Sequence, residues 1–344
     1  GSFDCKGLIF IPSSKDFLGL NISDEINGNI KLYVKKIFVM NNNNILPTWL
    51  KFIYGVVDCD DLNLNVSREM LQQNKMIAIL KKKITSKALE LIDDISTDEE
   101  IYQKFYLNFG DYLKLGMYED ENYQSKISKY LRFYTNKSEN NLVSLDSYLS
   151  NRLKNQKHIY YISGKSISNI KNSIFLNKFD ELDIQVLFMV NSIDEYMLLK
   201  FKNYGNCKLI DITKEELDLS MFTQVNEKQN DDNDYEICKK IKKILGDNVE
   251  KVVFSNRLSK MPCCIVTSSN SKTANMERIF NSQALSDEQY DSNKLNKILE
   301  LNKNHTIVKD IIEKLNSNHK LLYESSVELI YILFDLGCIS SNII

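Results

Sequence analysis

The segment from Ser67 to Lys75 combines residue types that could bind an anion. Ser67 is a good helix N-cap, and Arg68 falls in the first turn of the helix that the pattern predicts. A cation in that turn opposes the helix macrodipole. Arg68, Gln72 and Lys75 follow one another at steps of four and three residues, so they share one helix face beside free backbone N–H groups. A guanidinium placed there can bind a phosphate oxygen with a geometry that lysine does not reproduce.

The same residues allow a second interpretation of Arg68. Asp58, Asp60 and Asp61 lie shortly upstream, and any of them could pair with the guanidinium in a purely structural ion pair. Spacing alone does not choose between an anion site and an ion pair.

A second candidate site is an amphipathic helix predicted to run from Thr273 to Leu285. Met276, Ile279 and Phe280 recur at helical spacing, and charged residues lie on the other side. Such a stripe is either core or an apolar surface, because a helix with one charged face needs only one covered face. We expect the stripe to be partly exposed.

Composition excludes several classes of protein. The chain has 344 residues, of which 43% are hydrophobic and 26% charged, in the range of ordinary globular proteins. Lys+Arg 44 against Asp+Glu 46 gives a net charge of −2, which provides no global field to attract nucleic acid or an anionic membrane surface. No stretch without charges is long enough to cross a bilayer. We therefore expect neither nucleic acid nor a membrane among the partners.

The cysteines and histidines form no ligand pattern. Seven cysteines without a CxxC pair predict neither a disulfide framework nor a zinc site, so we expect free thiols in a reducing compartment. His158, His305 and His319 fall in separate predicted elements. We expect no metal site.

Strands and helices are predicted in an order typical of an α/β (α+β) chain with more than one domain. Buried strands are predicted at Leu8–Ile11 and at Ile30–Met40, the second interrupted by Lys35 and Lys36, and the longest helix is predicted at Ser67–Asp94. Two further helices, separated near Gly116 and Glu119–Glu121, are predicted within Thr97–Tyr134.

The second half of the chain is predicted to contain another alternating unit, from His158 to Ile212. An acidic, polar run that ends at Asp234 cannot bury enough apolar surface to pack, so we predict a linker there. The predicted division is a large α/β subdomain at 1–95, a helical connector at 96–150, a small α/β subdomain at 151–219, the linker at 220–234 and a mixed C-terminal domain at 235–344.

Several long motifs resemble the heat-shock protein 90 chaperone family, from its middle domain into part of its C-terminal domain. The likeness is carried by ordered phrases spread over nearly the whole chain. They include Leu32–Phe38, Gly55–Leu62, Leu64–Gln73 (LNVSREMLQQ), Asn108–Gly116, Pro262–Val266 (PCCIV) and Thr273–Ile279 (TANMERI).

The resemblance implies an ATPase whose nucleotide pocket lies in a domain upstream of this fragment. Arg68 would be a catalytic residue that reaches the γ-phosphate of ATP, held there with Mg, and Gln72 would support it. The physics agrees, because a remote arginine can stabilise charge on the transferring phosphoryl group only when the protein closes. No Gly-rich phosphate loop occurs in the chain, so we expect the fragment alone to hold no cofactor and to be inactive.

The resemblance also implies partners. Met276, Ile279 and Phe280 would contact unfolded or partly folded client proteins, although Lys272 stands where family members often carry a tryptophan. The full-length protein would be a homodimer. The helix predicted at Leu321–Leu336 would belong to its dimerisation bundle, and since the bundle's last helix is missing from the sequence, we expect the fragment to dimerise weakly or not at all.

Some phrases indicate a branch of the family. Tyr112–Gly116, Asp211–Leu219 and Ser255–Leu258 are most similar to the organellar branch. A plastid-type location is therefore expected ahead of a mitochondrial or cytoplasmic one.

Two other functions are considered. A non-catalytic interaction scaffold would need no Arg68 on a polar helix face. A small-molecule enzyme built on the unit at His158–Ile212 would need an acid, base or nucleophile cluster at the strand ends, and the sequence offers none there.

Overall fold

The chain divides into two compact units in a computed structural model. The first comprises Gly1–Arg132, Ser144–Asp146 and Tyr196–Phe201, and the second comprises Phe133–Val143, Ser147–Glu195 and Lys202–Ile344. The residues that the structure describes are 5–14, 29–41, 45–61, 75–138, 141–215, 217, 219, 222, 232–268, 273, 275–276, 278–279, 296–317 and 319–341.

The first unit contains a mixed four-stranded sheet in the order β1-β4-β2-β3. Its strands are β1 (Cys5–Phe10), β2 (Ile30–Val34), β3 (Ile37–Asn41) and β4 (Tyr54–Cys59). β4 pairs antiparallel with β1 and parallel with β2, and β2 pairs antiparallel with β3. The strand predicted over Ile30–Met40 is therefore a hairpin, which turns at Lys35 and Lys36 with φ of 52° and 67°.

Helices complete the first unit. They are α1 (Lys75–Ser96), α2 (Glu99–Glu119) and α3 (Gln124–Ile127), with 3-10 turns at Thr48–Leu50 and Ser128–Tyr130. The predicted break falls at Glu119–Glu121 rather than at Gly116, because α2 continues through Gly116 and ends at Glu119, before α3 begins at Gln124. A Cβ at Gly116 would lie 2.8 Å from Trp49 Cδ2, so the glycine makes room for the buried indole. Asp98 caps α2 by accepting hydrogen bonds from the backbone N–H groups of Glu100 and Ile101.

A six-stranded sheet follows in the order β6-β5-β8-β7-β10-β9. Its strands are β5 (Arg132–Thr135), β6 (Val143–Ser144), β7 (Ile159–Ser163), β8 (Val186–Met189), β9 (Asn203–Tyr204) and β10 (Cys207–Asp211). Its helices are α4 (Leu145–Ser150), α5 (Ile167–Lys171), α6 (Leu176–Glu181) and α7 (Ser192–Lys200). β7 pairs in parallel with both β8 and β10, which confirms an alternating α/β arrangement here.

A three-stranded sheet in the order β11-β13-β12 ends the second unit. The elements are α8 (Asp232–Leu245), a 3-10 turn at Gly246–Asn248, β11 (Lys251–Phe254), β12 (Cys263–Thr267), β13 (Lys297–Leu301), α9 (Thr306–Leu315) and α10 (Lys320–Ser340). The sequence patterns did not predict β13, although it is the central strand. The α/β fold class is confirmed.

The small α/β part and the three-stranded sheet share a hydrophobic core. Cys264, Val266 and Ile298 are buried in one cluster with Tyr160 and Phe179. The predicted linker between the two parts falls largely outside the described residues, so the five-part division of the chain stays a prediction.

The expectation of free thiols is wrong for one pair of cysteines. Cys5 and Cys59 form a disulfide between β1 and β4. The remaining cysteines are free, and all except the half-buried Cys338 are buried.

Candidate functional site

The predicted catalytic residues Arg68 and Gln72 lie outside the described residues, within 62–74. The elements on either side are described: β4 ends at Cys59 in the interior of its sheet, and α1 begins at Lys75. Of the upstream acids that could pair with Arg68, Asp58 already accepts a hydrogen bond at Oδ1 from the backbone N–H of Lys36, at 3.2 Å. The choice between an anion site and a structural ion pair for Arg68 stays open on these contacts.

The predicted apolar stripe is buried where it is described. Met276 and Ile279 are 4% and 5% exposed, so the expectation that they form a partly exposed surface is wrong. Phe280 lies outside the described residues. The helical spacing identified the apolar face correctly, but that face is covered within the chain.

Glu195 of α7 anchors the start of this helical segment. Its Oε1 accepts hydrogen bonds from Thr273 Oγ1 at 3.1 Å and from Asn275 Nδ2 at 3.0 Å. Thr273 Oγ1 also accepts a bond from the backbone N–H of Met276 at 2.9 Å, which caps the turn. The buried carboxyl therefore fixes two side chains just before Met276 enters the core.

Two acids of the second unit influence each other at this anchor. Burial raises the pKa of Glu195, and the neighbouring Asp211 carboxyl raises it further. Burial also raises the pKa of Asp211, against hydrogen bonds donated by the backbone N–H and hydroxyl of Thr213. Tyr161, which faces both acids, has a pKa well above its ordinary value, chiefly because it is buried. Glu195 and Asp211 therefore keep their protons up to a higher pH than exposed carboxyls do.

A buried ion pair lies between the end of β10 and the three-stranded sheet. Arg257 Nε is 3.0 Å from Glu300 Oε2, and both side chains are less than a tenth exposed. Arg257 also donates to the backbone carbonyls of Ile212 and Lys214, each at 2.8 Å. Glu300 accepts a second hydrogen bond from Ser255 Oγ at 2.5 Å. This network fixes the course of the chain after β10.

Sequence reasoning did not identify Glu195, Asp211, Glu300 or the role of Arg257. Ser255–Leu258 was noticed only as a family-like phrase, and nothing in local spacing pairs Arg257 with a carboxylate in a strand so far along the chain. A charged residue inside an otherwise apolar run, as Glu300 is in Lys297–Leu301, was the available signal.

A small cavity in the C-terminal core is lined by aliphatic side chains alone, including Ile241, Leu301 and Ile330, and offers no acid or base. Within the described ranges, no group of three or more His, Cys, Asp or Glu side chains could hold a metal ion. None of the helices described is both long and apolar enough to cross a membrane.

Comparison with known proteins gives one consistent result. The profile of a protein family described as Hsp90 protein matches residues 1–344. "Heat shock protein 90-5, chloroplastic" of Arabidopsis thaliana is 38% identical over 349 residues, which cover 99% of this chain and 44% of that protein. "Heat shock protein 90-6, mitochondrial" of the same plant is 38% identical over 351 residues, covering 99% and 43%.

A third relative is matched over more of its own length. "Heat shock protein 83" of Leishmania donovani is 35% identical over 354 residues, which cover 99% of this chain and 76% of that protein. The chain spans less than half the length of the two plant relatives.

Proposed function

Since the chain belongs to the Hsp90 protein family, we propose that it forms part of an ATP-dependent molecular chaperone. The observation that carries this proposal is the family match over residues 1–344, which includes the motif LNVSREMLQQ. In this function the chain supplies residues that act on a nucleotide bound elsewhere in the full-length protein, and the fragment alone is inactive.

Arg68 is the residue to which we assign the catalytic contribution. When ATP and Mg are bound by the full-length protein, the nucleotide supplies the phosphoanhydride bond to be cleaved. An always-charged guanidinium near the γ-phosphate would stabilise the charge that develops during transfer. Gln72, four residues further along the chain, would hold that guanidinium in place.

The test is ATP turnover by the full-length Arg68→Ala variant. We expect turnover to fall about 10²-fold or more, the scale for removing a group that stabilises a transition state. Nucleotide affinity should change little. Arg278→Ala is the matched control, because Arg278 is exposed and donates to Asn275. Unchanged turnover in Arg68→Ala would refute the catalytic role and favour an interaction scaffold.

We assign homodimerisation of the full-length protein to α10. Leu321, Ile332 and Ile339 are 68%, 61% and 62% exposed, so this helix carries apolar side chains that a second copy could cover. Ile332→Glu should weaken the dimer in sedimentation experiments at micromolar concentration. Ile307→Glu, at an exposed isoleucine of α9, is the control and should leave the dimer intact.

Unfolded or partly folded client proteins are the proposed substrates, with Met276, Ile279 and Phe280 as contact residues. Because the first two are buried, this role requires that the segment leave the core before it contacts a client. Glu195→Ala removes the anchor of Thr273 and Asn275 and should increase suppression of client aggregation. Hydrogen exchange should show that the segment from Thr273 opens more often in this variant. If it does and suppression of aggregation is unchanged, these residues have no client role.

We place the protein in an organelle, and in a plastid-type organelle ahead of a mitochondrion. The plastid and mitochondrial relatives are equally similar, so the finer assignment rests on the sequence phrases alone. Imaging of the tagged full-length protein against markers for both organelles tests it.

A further inference from the structure

Cys5 and Cys59 occupy directly opposed positions of the β1–β4 ladder. The register pairs Cys5 with Cys59 at one end of the ladder and Phe10 with Tyr54 at the other. The two Cα atoms are 4.3 Å apart, although 54 residues separate the cysteines along the chain. A thiol pair in this position can be bridged without moving either strand.

Within the described residues, β1 has little else to attach it beyond the stacking of Phe10 on Tyr54, whose ring centroids are 6.0 Å apart. It is an edge strand whose neighbour is β4, and all of its side chains are exposed or half-buried, with Leu8 71% exposed. Gly55 permits the close approach of the two strands, since a Cβ there would lie 2.4 Å from the carbonyl oxygen of Leu8. The backbone ladder and the disulfide therefore attach β1, and hydrophobic burial contributes little.

The other cysteines are poorly suited to redox chemistry. Cys207, Cys238, Cys263 and Cys264 are buried and unpaired with another sulfur. Burial raises the pKa of Cys238 to about 11 and that of Cys263 to about 12, which disfavours the reactive thiolate. Cys338 is half-buried, and burial raises the pKa of its thiol too. A dithiol partner reduces a disulfide, and the disulfide in the described part of the chain is Cys5–Cys59.

We propose that Cys5 and Cys59 form a redox-sensitive clasp that a protein dithiol opens and a protein disulfide closes. Cys5 is half-buried, whereas Cys59 is fully buried, so the incoming thiolate attacks the sulfur of Cys5. The Cys5–Cys59 bond breaks, and the electron pair leaves on the Cys59 sulfur, which takes up a proton. The second thiol of the partner then displaces Cys5, which is protonated in turn. Two electrons and two protons pass to the chain, and the partner becomes a disulfide.

Opening the clasp weakens the hold of β1 on the sheet. Without the disulfide the strand detaches more often, and each detachment exposes the hydrogen-bonding edge of β4. The inference does not rest on the proposed chaperone function, because the change concerns the attachment of β1.

Hydrogen exchange of the full chain tests the clasp. Residues 5–10 and 54–59 should exchange at least about tenfold faster when a dithiol reductant is present, because the cross-link no longer limits opening. Residues of β12 should be unaffected. In Cys5→Ser/Cys59→Ser, β1 should exchange fast with and without reductant, whereas Cys338→Ser should respond to reductant as the wild type does.

The relative rates at which Cys5 and Cys59 are alkylated provide a second measurement, which needs no variant. In the folded, reduced protein, an alkylating reagent should modify Cys5 at least about tenfold faster than Cys59, because burial protects the latter. Equal exchange of residues 5–10 in oxidised and reduced wild type would overturn the proposal. So would seven free thiols in protein denatured without reductant after equilibration with a disulfide oxidant.

Discussion

Two buried arginines, one in each unit, are satisfied in different ways. Arg132 lies with its guanidinium carbon 4.4 Å from the centroid of the Tyr102 ring, and its nearest carboxylate, Glu99, is 4.0 Å away and mostly exposed. Arg257 lies 3.0 Å from Glu300, and that carboxylate is itself buried. Both arginines also donate to backbone carbonyls.

The two sites differ in the exposure of the carboxylate partner. Glu99, beside Arg132, is mostly exposed to solvent, whereas Glu300, beside Arg257, is buried. An arginine over an aromatic ring gains a modest attraction, and its loss leaves no opposite charge buried. A buried ion pair is different, because removal of one member leaves the other desolvated and unpaired. Arg257 should therefore be much less tolerant of substitution than Arg132, although the two are buried to a similar extent.

The largest expected effect is that of Arg257→Ala. The substitution leaves the Glu300 carboxylate without its cation and frees the carbonyls of Ile212 and Lys214, so the free energy of unfolding should fall by about 3 to 5 kcal/mol. Chemical denaturation of the full chain measures it.

A double substitution checks the physical reason for that loss. Arg257→Met combined with Glu300→Leu removes both charges and should recover most of the stability, since apolar replacements of a buried pair are often neutral. If the double variant is as unstable as Arg257→Ala, the loss comes from the freed carbonyls rather than from the unpaired carboxylate.

A smaller effect is expected for Arg132→Ala. The variant loses the contact with the Tyr102 ring and the hydrogen bonds to the carbonyls of Lys129 and Leu131, which together should cost about 1 to 2 kcal/mol. Glu99→Gln in the same assay should change the free energy of unfolding by less than about 0.5 kcal/mol, because an exposed partner contributes little. A loss for Arg132→Ala as large as that for Arg257→Ala would remove the distinction between the two sites.

The sequence predicted the elements whose apolar residues are local and regular. β7 and α10 fall close to their predicted positions, because apolar runs and helical spacing are properties of a few neighbouring residues. β1 begins three residues earlier than predicted, at Cys5, and its side chains are exposed or half-buried rather than buried. β13 was missed because its short run contains Glu300, whose burial depends on Arg257, 43 residues earlier by their numbers. An interruption at Lys35 and Lys36 was predicted, but the hairpin there was not, because lysine is not the usual residue for positive φ.

For the candidate sites, too, local sequence patterns could be interpreted, whereas contacts with distant residues could not. Arg68 and Gln72 were named from one short motif and its family resemblance, and since they lie outside the described residues their roles stay predictions. The spacing of Met276 and Ile279 gave an apolar face but could not tell what covers it, since the anchor on Glu195 comes from a distant helix. The disulfide was missed for a similar reason: pairing of Cys5 with Cys59 follows from the register of two strands and from no local pattern.

The smallest expected effect concerns Glu195, a third buried charge, whose hydrogen-bond partners Thr273 and Asn275 are neutral. Burial raises its pKa in the folded protein above the unfolded value. The protonated carboxyl therefore contributes stability that is fully present below the unfolded pKa and is lost as pH rises through the folded pKa. Glu195→Gln keeps an oxygen acceptor but does not titrate. The free energy of unfolding of this variant, relative to that of the wild type, should therefore increase as pH rises from about 4 toward neutrality.

Glu195→Ala should show the same increase relative to the wild type, but from a lower free energy of unfolding, since it also loses both hydrogen bonds. Urea denaturation across that pH range measures both differences, and a difference between Gln and wild type that stays flat or falls with pH would show that Glu195 is ionised at no cost in the folded chain.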